Sequence, residues 1–177
     1  MKAAGVLLLL AVAVSSVMAD SATPPKPSPS RSPRASWQGL AIVVNRNNPI
    51  DDVTLPELRS MFLGEKKWWS HKRRITLAAM RRSTPEWKTV QRVVYKAKQH
   101  ELEHYYLYQS FKGEGVNLPV TMQAPADVKN FVAKTPGGLG YVRASDVDNT
   151  VKVVRVNGLL PDDDGYPLRL RARSGAK

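Results

Sequence analysis

The stretch LAIVVNRNNPIDDVTLPELRSMFLG, residues 40–64, contains a strand pattern, a turn pattern and a helix pattern in direct succession. Its first five residues are all apolar, which predicts a short strand buried on both faces of a sheet. Asn45–Asp52 is rich in turn-forming residues. The helix that follows has clear signals, since Thr54 can cap its start and Gly64 can end it in a left-handed conformation. This pairing of a two-sided strand with an amphipathic helix is typical of an α/β protein.

The rest of the chain continues the alternation. Further strands are predicted at Ile75–Met80, Pro119–Gln123, Leu139–Val142, Val151–Val156 and, as a shorter extended piece, Tyr166–Leu170. Helices are predicted after Ser83 or Thr84 and at Ala126–Lys134. The segment His100–His104 lies either on the continuation of the first of these helices or on the next one. Strands alternating with helices predict an α/β sandwich with a mainly parallel sheet.

The two ends of the chain differ from the middle. Met1–Ala19 has the positive start, apolar core and small-residue cleavage site of a signal peptide, so we expect export and a periplasmic location. Residues 20–36 are Pro/Ser-rich and predict a disordered linker. The folded domain is expected at residues 37–170, and residues 171–177 form a basic tail. No later stretch is apolar for long enough to span a membrane.

Composition narrows the chemistry further. The absence of cysteine excludes disulfides, thiol catalysis and thiolate metal sites. A formal net charge of +12 attracts anions. The basic loop His71–Arg74 beside Trp68 and Trp69 could bind nucleic acid or polysaccharide. We favour a solvated loop whose tryptophans pack on the domain, and we do not expect nucleic acid as a partner.

One motif suggests a metalloprotease. His100-Glu101-Leu102-Glu103-His104 matches H-E-x-x-H, in which two histidines four residues apart bind zinc and the first glutamate acts as general base. A catalytic zinc site needs a third protein ligand, and no histidine follows His104. The last glutamate of the chain is Glu114, so the downstream-glutamate version fails as well. We therefore interpret both histidines as residues of a solvated helix face, and expect no enzyme activity and no cofactor.

A second motif suggests anion binding. In RRSTPEW, residues 81–87, a helix start offers free backbone N–H groups and partial positive charge, and Arg81 or Arg82 can add a planar donor fork. Ser83 and Thr84 can donate hydroxyl hydrogen bonds. The alternative is ordinary capping, with Ser83 as cap and Glu86 as its capping-box partner. Both interpretations stay open on these residues alone.

Residues 37–170 resemble the periplasmic phosphate-binding proteins of ABC transporters and their shorter relatives. The landmarks occur in the family's order: the strand, turn and helix of residues 40–64 followed by Trp68 and Trp69, then FKGEGVNLP (111–119) with TPGGLGYV (135–142), then VNGLLPDDDGYPLRLR (156–171). The resemblance implies a single lobe of a type II periplasmic-binding-protein-like fold, with a mixed, mostly parallel sheet flanked by helices. Nothing in the chain corresponds to the family's first lobe, so we expect weak binding unless a second protein or second copy completes the cleft.

The resemblance also implies a site. The family's second-lobe contacts are an arginine and a Ser-Gly-Thr turn at a helix start, and the matching positions here are Arg81 or Arg82 with Ser83 and Thr84. The glycine is absent, and the spacing from arginine to serine is shorter. The implied function is a non-enzymatic, exported domain that binds phosphate or a similar oxyanion. The alternative is a basic adaptor that keeps the scaffold without the ligand and binds an acidic envelope partner.

Overall fold

The structure is a computed structural model, and it describes residues 37–111 and 118–171. The predicted signal peptide, the linker and residues 172–177 of the predicted basic tail lie outside the described residues. So do residues 112–117, which belong to the second stretch that carries the family resemblance. Within the described residues, no helix is long and apolar enough to cross a membrane.

Strands and helices alternate along most of the domain. The strands are β1 Trp37–Asn45, β2 Asp52–Val53, β3 Thr76–Met80, β4 Val120–Met122, β5 Gly138–Arg143, β6 Val151–Val156 and β7 Arg169–Arg171. The α-helices are α1 Leu55–Phe62, α2 Pro85–Val90, α3 Gln99–Phe111 and α4 Pro125–Lys134. A π-helical turn, Gln91–Tyr95, continues α2, and a short 3-10 turn, Ala144–Asp146, follows β5.

The strands form one sheet in the order β2-β6-β1-β5-β3-β4, and β7 also pairs with the start of β1. β1 is antiparallel to β5, β6 and β7. The remaining ladders, β2 with β6 and β3 with β4 and β5, are parallel. Among the described strands, all but β1 therefore run in the same direction, and β1 runs opposite to them. This arrangement confirms the predicted mixed sheet. The described ladders are divided equally between parallel and antiparallel, because β1 pairs with three strands that run opposite to it.

Helices cover both faces of this sheet. Side chains alternate along a strand, so Gly140 and Tyr141 of β5 face opposite sides. A Cβ placed on Gly140 would lie 2.7 Å from Val128 of α4, so α4 packs closely on one face. On the other face, the Tyr141 ring stacks on Phe62 of α1 at a centroid distance of 5.9 Å. The residues Leu40–Val44 of β1 are completely buried between these layers, as their apolar run predicted.

The predicted helix signals are largely confirmed. The Thr54 hydroxyl accepts from the Glu57 N–H at 3.3 Å, and Gly64 follows α1 with a positive φ of 76°. The helix that begins at Pro85 ends earlier than its apolar pattern suggested, because Lys96 adopts a left-handed conformation with φ 50°. The segment His100–His104 consequently lies on the next helix, α3.

Candidate functional site

The turn Arg81–Thr84 leaves the carboxyl end of β3. Because β3 runs parallel to β4 and β5, the carboxyl ends of three strands meet at this edge of the sheet. Open α/β sheets bind ligands in the crevice outside the carboxyl ends of their strands. Arg81, Arg82 and Ser83 are exposed and Thr84 is half-buried. The structure thus places all four predicted residues in one surface turn.

Hydrogen bonds hold this turn in one conformation. The Arg81 N–H donates to the Met122 carbonyl of β4 at 3.2 Å. The N–H and the hydroxyl of Thr84 both donate to the Arg81 carbonyl, at 3.0 and 2.8 Å. The Trp87 N–H donates to the Thr84 hydroxyl oxygen at 3.2 Å. Thr84 is therefore the N-cap of α2, and its hydroxyl hydrogen is already engaged within the turn.

Two donors of the turn face solvent. Within the part of the chain that the structure describes, neither the Arg81 guanidinium nor the Ser83 hydroxyl makes a side-chain hydrogen bond or ion pair. The capping alternative for Ser83 is wrong, because Thr84 occupies the cap position one residue later. Arg81 and Ser83 are consequently the groups best able to donate to an anion.

The structure also corrects the predicted role of Glu86. This side chain is only 2% exposed, and it forms an ion pair with the Nε of Arg143 at the end of β5. The Arg143 Nη1 donates in addition to the Gln38 side chain at 3.4 Å. Glu86 is a buried anchor between α2 and the sheet, not a capping-box carboxylate. It therefore does not occupy the position beside the turn that an anion would take.

A different carboxylate faces the turn. The Nη1 of Arg82 forms an ion pair with Glu103 of α3, and both side chains are about half exposed, at 55% and 47%. Gln99 donates to the same carboxylate oxygen at 3.1 Å. The Gln99 hydrogen bond and the Arg82 charge hold the pKa of Glu103 below its ordinary value. Glu103 is thus ionised at neutral pH and partly neutralises Arg82.

The other residues of the H-E-x-x-H motif have no partner arrangement suited to a metal. His100 and His104 are exposed on α3, and the Glu101 carboxylate accepts from the Lys98 N–H at the start of that helix. Within the described residues, no group of three or more metal-binding side chains lies close together. Of the two glutamates of the motif, Glu101 accepts a hydrogen bond at the start of α3, and Glu103 pairs with Arg82 of the neighbouring turn.

A cavity of about 390 Å³ lies next to the turn, between α2, α3, the edge strand β4 and its neighbour β3. Its walls are mainly apolar. The larger apolar residues that line it are Met80, Trp87, Leu102, Leu107, Leu118 and Pro119. Leu107 and Leu118 are 57% and 53% exposed, so the rim of the cavity presents apolar surface to water.

The charged and amide side chains that line the cavity are exposed. Arg82, Gln99 and Glu103 line it, and Arg82 is the member of the turn that does so. Tyr106 also lines the cavity, but its hydroxyl donates to the Phe62 carbonyl at 2.9 Å. Burial raises the pKa of Tyr106, so its hydroxyl stays protonated at neutral pH. The exposed part of the lining therefore combines charged and apolar side chains, and the buried part is mainly apolar.

The basic loop is only partly as predicted. Trp69 is buried, and its Nε1 donates to the Gly137 carbonyl at 3.1 Å, as expected for a tryptophan that packs on the domain. Trp68 is 57% exposed, so the same prediction is wrong for this residue. Trp68 pairs with Arg74 in an antiparallel β-bridge, so the backbone is extended here. Adjacent side chains of an extended backbone point to opposite sides, which explains why Trp69 is buried and Trp68 is not.

Glu103 and Arg143 are the site residues that sequence reasoning missed. Both act through partners distant in the chain, 21 residues away for Glu103 and 57 for Arg143. A weak signal existed for Glu103, because a charged residue beside the second histidine is unusual for a buried metal-binding helix. No local pattern pointed to Arg143.

No protein-family model matches the chain. Among solved structures, a phosphate ABC transporter substrate-binding protein from Clostridium perfringens with bound phosphate is similar, at a TM-score of 0.64 and 20% identity over 77% of this chain and 54% of that chain. An ABC-type phosphate transport receptor from Vibrio cholerae matches at 0.62 and 19%, over 76% and 55%. PstS from Borrelia burgdorferi matches at 0.60 and 15%, over 77% and 56%.

These similarities establish the fold, which is the periplasmic-binding-protein type that the sequence predicted. The chain spans about half the length of the solved proteins that it matches.

Proposed function

We propose that this chain, with the fold of phosphate-transport receptors, is an exported, non-enzymatic solute-binding domain for phosphate or a similar oxyanion. One observation carries the proposal. In this fold, an exposed turn with two arginines and a free serine hydroxyl lies at the shared carboxyl edge of β3, β4 and β5. The solved neighbour from Clostridium perfringens contains bound phosphate, which supports an oxyanion as the ligand class.

Each residue of the turn has a distinct role in this proposal. The Arg81 guanidinium is planar and free, so it can donate two parallel hydrogen bonds to an oxyanion. The Ser83 hydroxyl adds a neutral donor. Thr84 holds the turn, because its own hydrogen bonds are internal. Arg82 supplies a second positive charge that it shares with Glu103.

The exposure of the turn limits the affinity. An anion bound there would keep contact with water, which weakens each charged hydrogen bond. A second protein or a second copy of the chain that covered the turn would exclude this water and strengthen binding. We therefore expect modest phosphate affinity for the isolated chain.

The rival function is a basic adaptor that binds an acidic envelope partner. The specific observation in its favour is the Arg82–Glu103 ion pair, which removes part of the positive charge from the turn while the chain as a whole carries +12. In that case the anion preference would be weak and binding would fall steeply with salt.

Thermal unfolding in phosphate and in chloride at matched ionic strength separates these functions. A ligand that binds only the folded state stabilises it by RT ln(1 + [L]/Kd), about 2.7 kcal/mol at a hundredfold excess over Kd. We expect a saturable rise in Tm with phosphate for the unaltered protein and for Arg155→Ala. Arg155 is exposed on β6, separated from β3 in the sheet by β1 and β5.

The variant Arg81→Ala should lose most of the phosphate-specific rise. It removes the same charge as Arg155→Ala, so the comparison separates a local contact from general attraction. Equal stabilisation by phosphate and chloride would contradict phosphate binding and favour the adaptor. Equal loss of the phosphate response in both variants would contradict the assignment of the site to this turn.

A further inference from the structure

We infer that the cavity beside the turn binds the organic group of a phosphate ester, so that the preferred ligand is a phosphomonoester with a small apolar or aromatic group. The inference rests on the proposed oxyanion-binding function and names the ligand class of that same site. Inorganic phosphate would then be the weaker ligand.

The turn and the cavity share Arg82. This residue follows Arg81 directly, and its exposed side chain lines the cavity. Its ion pair with Glu103 uses Nη1, so the remaining guanidinium N–H groups can donate to a phosphoryl oxygen. A phosphoryl group bound at the turn would thus have its ester substituent beside the opening of the cavity.

The size of the cavity favours a larger ligand than phosphate. Its volume is about 390 Å³. On the same measure of volume a single water needs only about 10–15 Å³, so an ion as small as inorganic phosphate would leave most of this space unfilled. Cavities of about 300–1,000 Å³ ordinarily hold small organic molecules.

The lining of the cavity favours an apolar substituent. The Trp87 and Leu102 side chains are buried in its wall, and Leu107 and Leu118 leave apolar surface exposed at the rim. A ring or short alkyl chain placed against them would remove this surface from water. The Tyr106 hydroxyl already donates its hydrogen bond to the Phe62 carbonyl, so its hydrogen is not available to a polar substituent. Arg81 and Arg82 together outweigh the single charge of Glu103, so the turn keeps a net positive charge beside a mainly apolar cavity. This combination matches an anion that carries an apolar group.

Isothermal titration of the full chain with phenyl phosphate, inorganic phosphate and phenol tests the inference. We expect phenyl phosphate to bind about tenfold more tightly than inorganic phosphate, because part of the ring is buried. Phenol, which lacks the phosphoryl group, should bind far more weakly than phenyl phosphate.

Two rim variants locate the effect. Leu107→Ser shortens the exposed apolar wall, and Ser110→Trp places a bulky ring at an exposed position that lines the cavity. Both should remove the advantage of phenyl phosphate while leaving inorganic phosphate bound as before. Leu160→Ser is the matched control, because Leu160 is also an exposed leucine but does not line the cavity.

Each outcome decides a separate point. Equal affinities for phenyl phosphate and phosphate would overturn the inference and leave the proposed function intact. Phenol binding as tightly as phenyl phosphate would overturn it too, since the phosphoryl group would then contribute nothing to the affinity. Binding of neither phosphate compound would overturn the proposed function itself. An advantage that survives in both rim variants would place the ring elsewhere and overturn the assignment to this cavity.

Discussion

In the proposed oxyanion site, Glu103 would determine how much of the positive charge of Arg82 is available to a ligand. Its carboxylate pairs with Arg82 and accepts a hydrogen bond from Gln99, and these contacts lower its pKa. The group therefore stays ionised throughout the neutral range and opposes an incoming anion. A competing carboxylate inside an anion site lowers the affinity, and it also favours ligands with a further source of binding energy, such as an apolar substituent.

We predict that Glu103→Gln increases the affinity for phosphate about two- to fivefold. The amide keeps the shape of the side chain but removes its charge, and because the Arg82–Glu103 pair is exposed to water, the expected gain is modest. Titration calorimetry at neutral pH measures the change. Glu101→Gln is the matched control, because it removes the same charge from α3. The Glu101 carboxylate accepts from the Lys98 N–H instead of pairing with the turn. An equal gain in both variants would show that only the overall charge matters.

The cap of α2 provides a second prediction for a single residue. Thr84→Ala should lower the free energy of unfolding by about 1 kcal/mol, because the Trp87 N–H loses its side-chain acceptor. Ser83→Ala should change it by no more than about 0.5 kcal/mol, since Ser83 is exposed. Urea unfolding followed by circular dichroism compares the two variants. A larger loss of unfolding free energy in Ser83→Ala than in Thr84→Ala would show that Ser83, not Thr84, caps α2.

At the scale of the secondary-structure elements, the buried Glu86–Arg143 pair positions α2 on the sheet. Glu86 lies in the first turn of α2, and Arg143 ends β5, beside β3. The turn Arg81–Thr84 connects β3 to α2, so an anchor in the first turn of α2 also fixes the end of this turn. Removal of one member would leave the other charge buried without its partner in this pair.

We predict that Glu86→Ala lowers the free energy of unfolding by about 3–5 kcal/mol, the range found when one member of a buried ion pair is removed. The double variant Glu86→Gln/Arg143→Met removes both charges and should be less destabilised than Glu86→Ala. Urea unfolding of the three proteins measures the differences. A loss below about 1 kcal/mol in Glu86→Ala would show that the pair is not an anchor.

The elements that sequence patterns predicted well are those whose signal is local. The apolar run Leu40–Val44 and the valine-rich run Val151–Val156 are local signals, and each lies within a strand of the structure. The four residues of the turn Arg81–Thr84 are also adjacent in the sequence, so their grouping needed no tertiary information.

The features that sequence patterns missed depend on long-range packing. The first turn of α2 gave Glu86 a plausible capping role, and only the position of β5 brings Arg143 to it. Trp68 and Trp69 are chemically equivalent neighbours, so the pattern could not show which one faces the interior. The cavity could not be predicted either, because residues from α2, α3, β3 and β4 form it together.

At the scale of the whole molecule, buried tyrosines connect the layers of the domain. The Tyr141 hydroxyl accepts from the Met80 N–H at 3.1 Å, and the Tyr166 hydroxyl donates to the Leu40 carbonyl at 2.8 Å. Burial raises the pKa of both side chains, and that of Tyr95, well above the ordinary value of 10.0. All three are therefore neutral in the folded protein across the physiological range.

We predict that the domain loses stability as the pH rises above about 10, the ordinary tyrosine pKa. Above this value the unfolded chain releases protons that the folded protein retains, so the unfolded state binds fewer protons and stability decreases with pH. Circular dichroism and tyrosinate absorbance should change together in an alkaline titration. Ionisation of these three tyrosines with the fold intact would contradict the prediction.

The central claim is that this phosphate-receptor fold binds an oxyanion at the turn after β3, and backbone amide NMR during a phosphate titration tests it most directly. We predict saturating shifts of the Arg81, Arg82, Ser83 and Thr84 amides, with much smaller changes in the basic loop His71–Arg74. Chloride at the same ionic strength should leave the turn unchanged. Shifts that do not saturate, or that are spread over all basic surfaces alike, would contradict the claim.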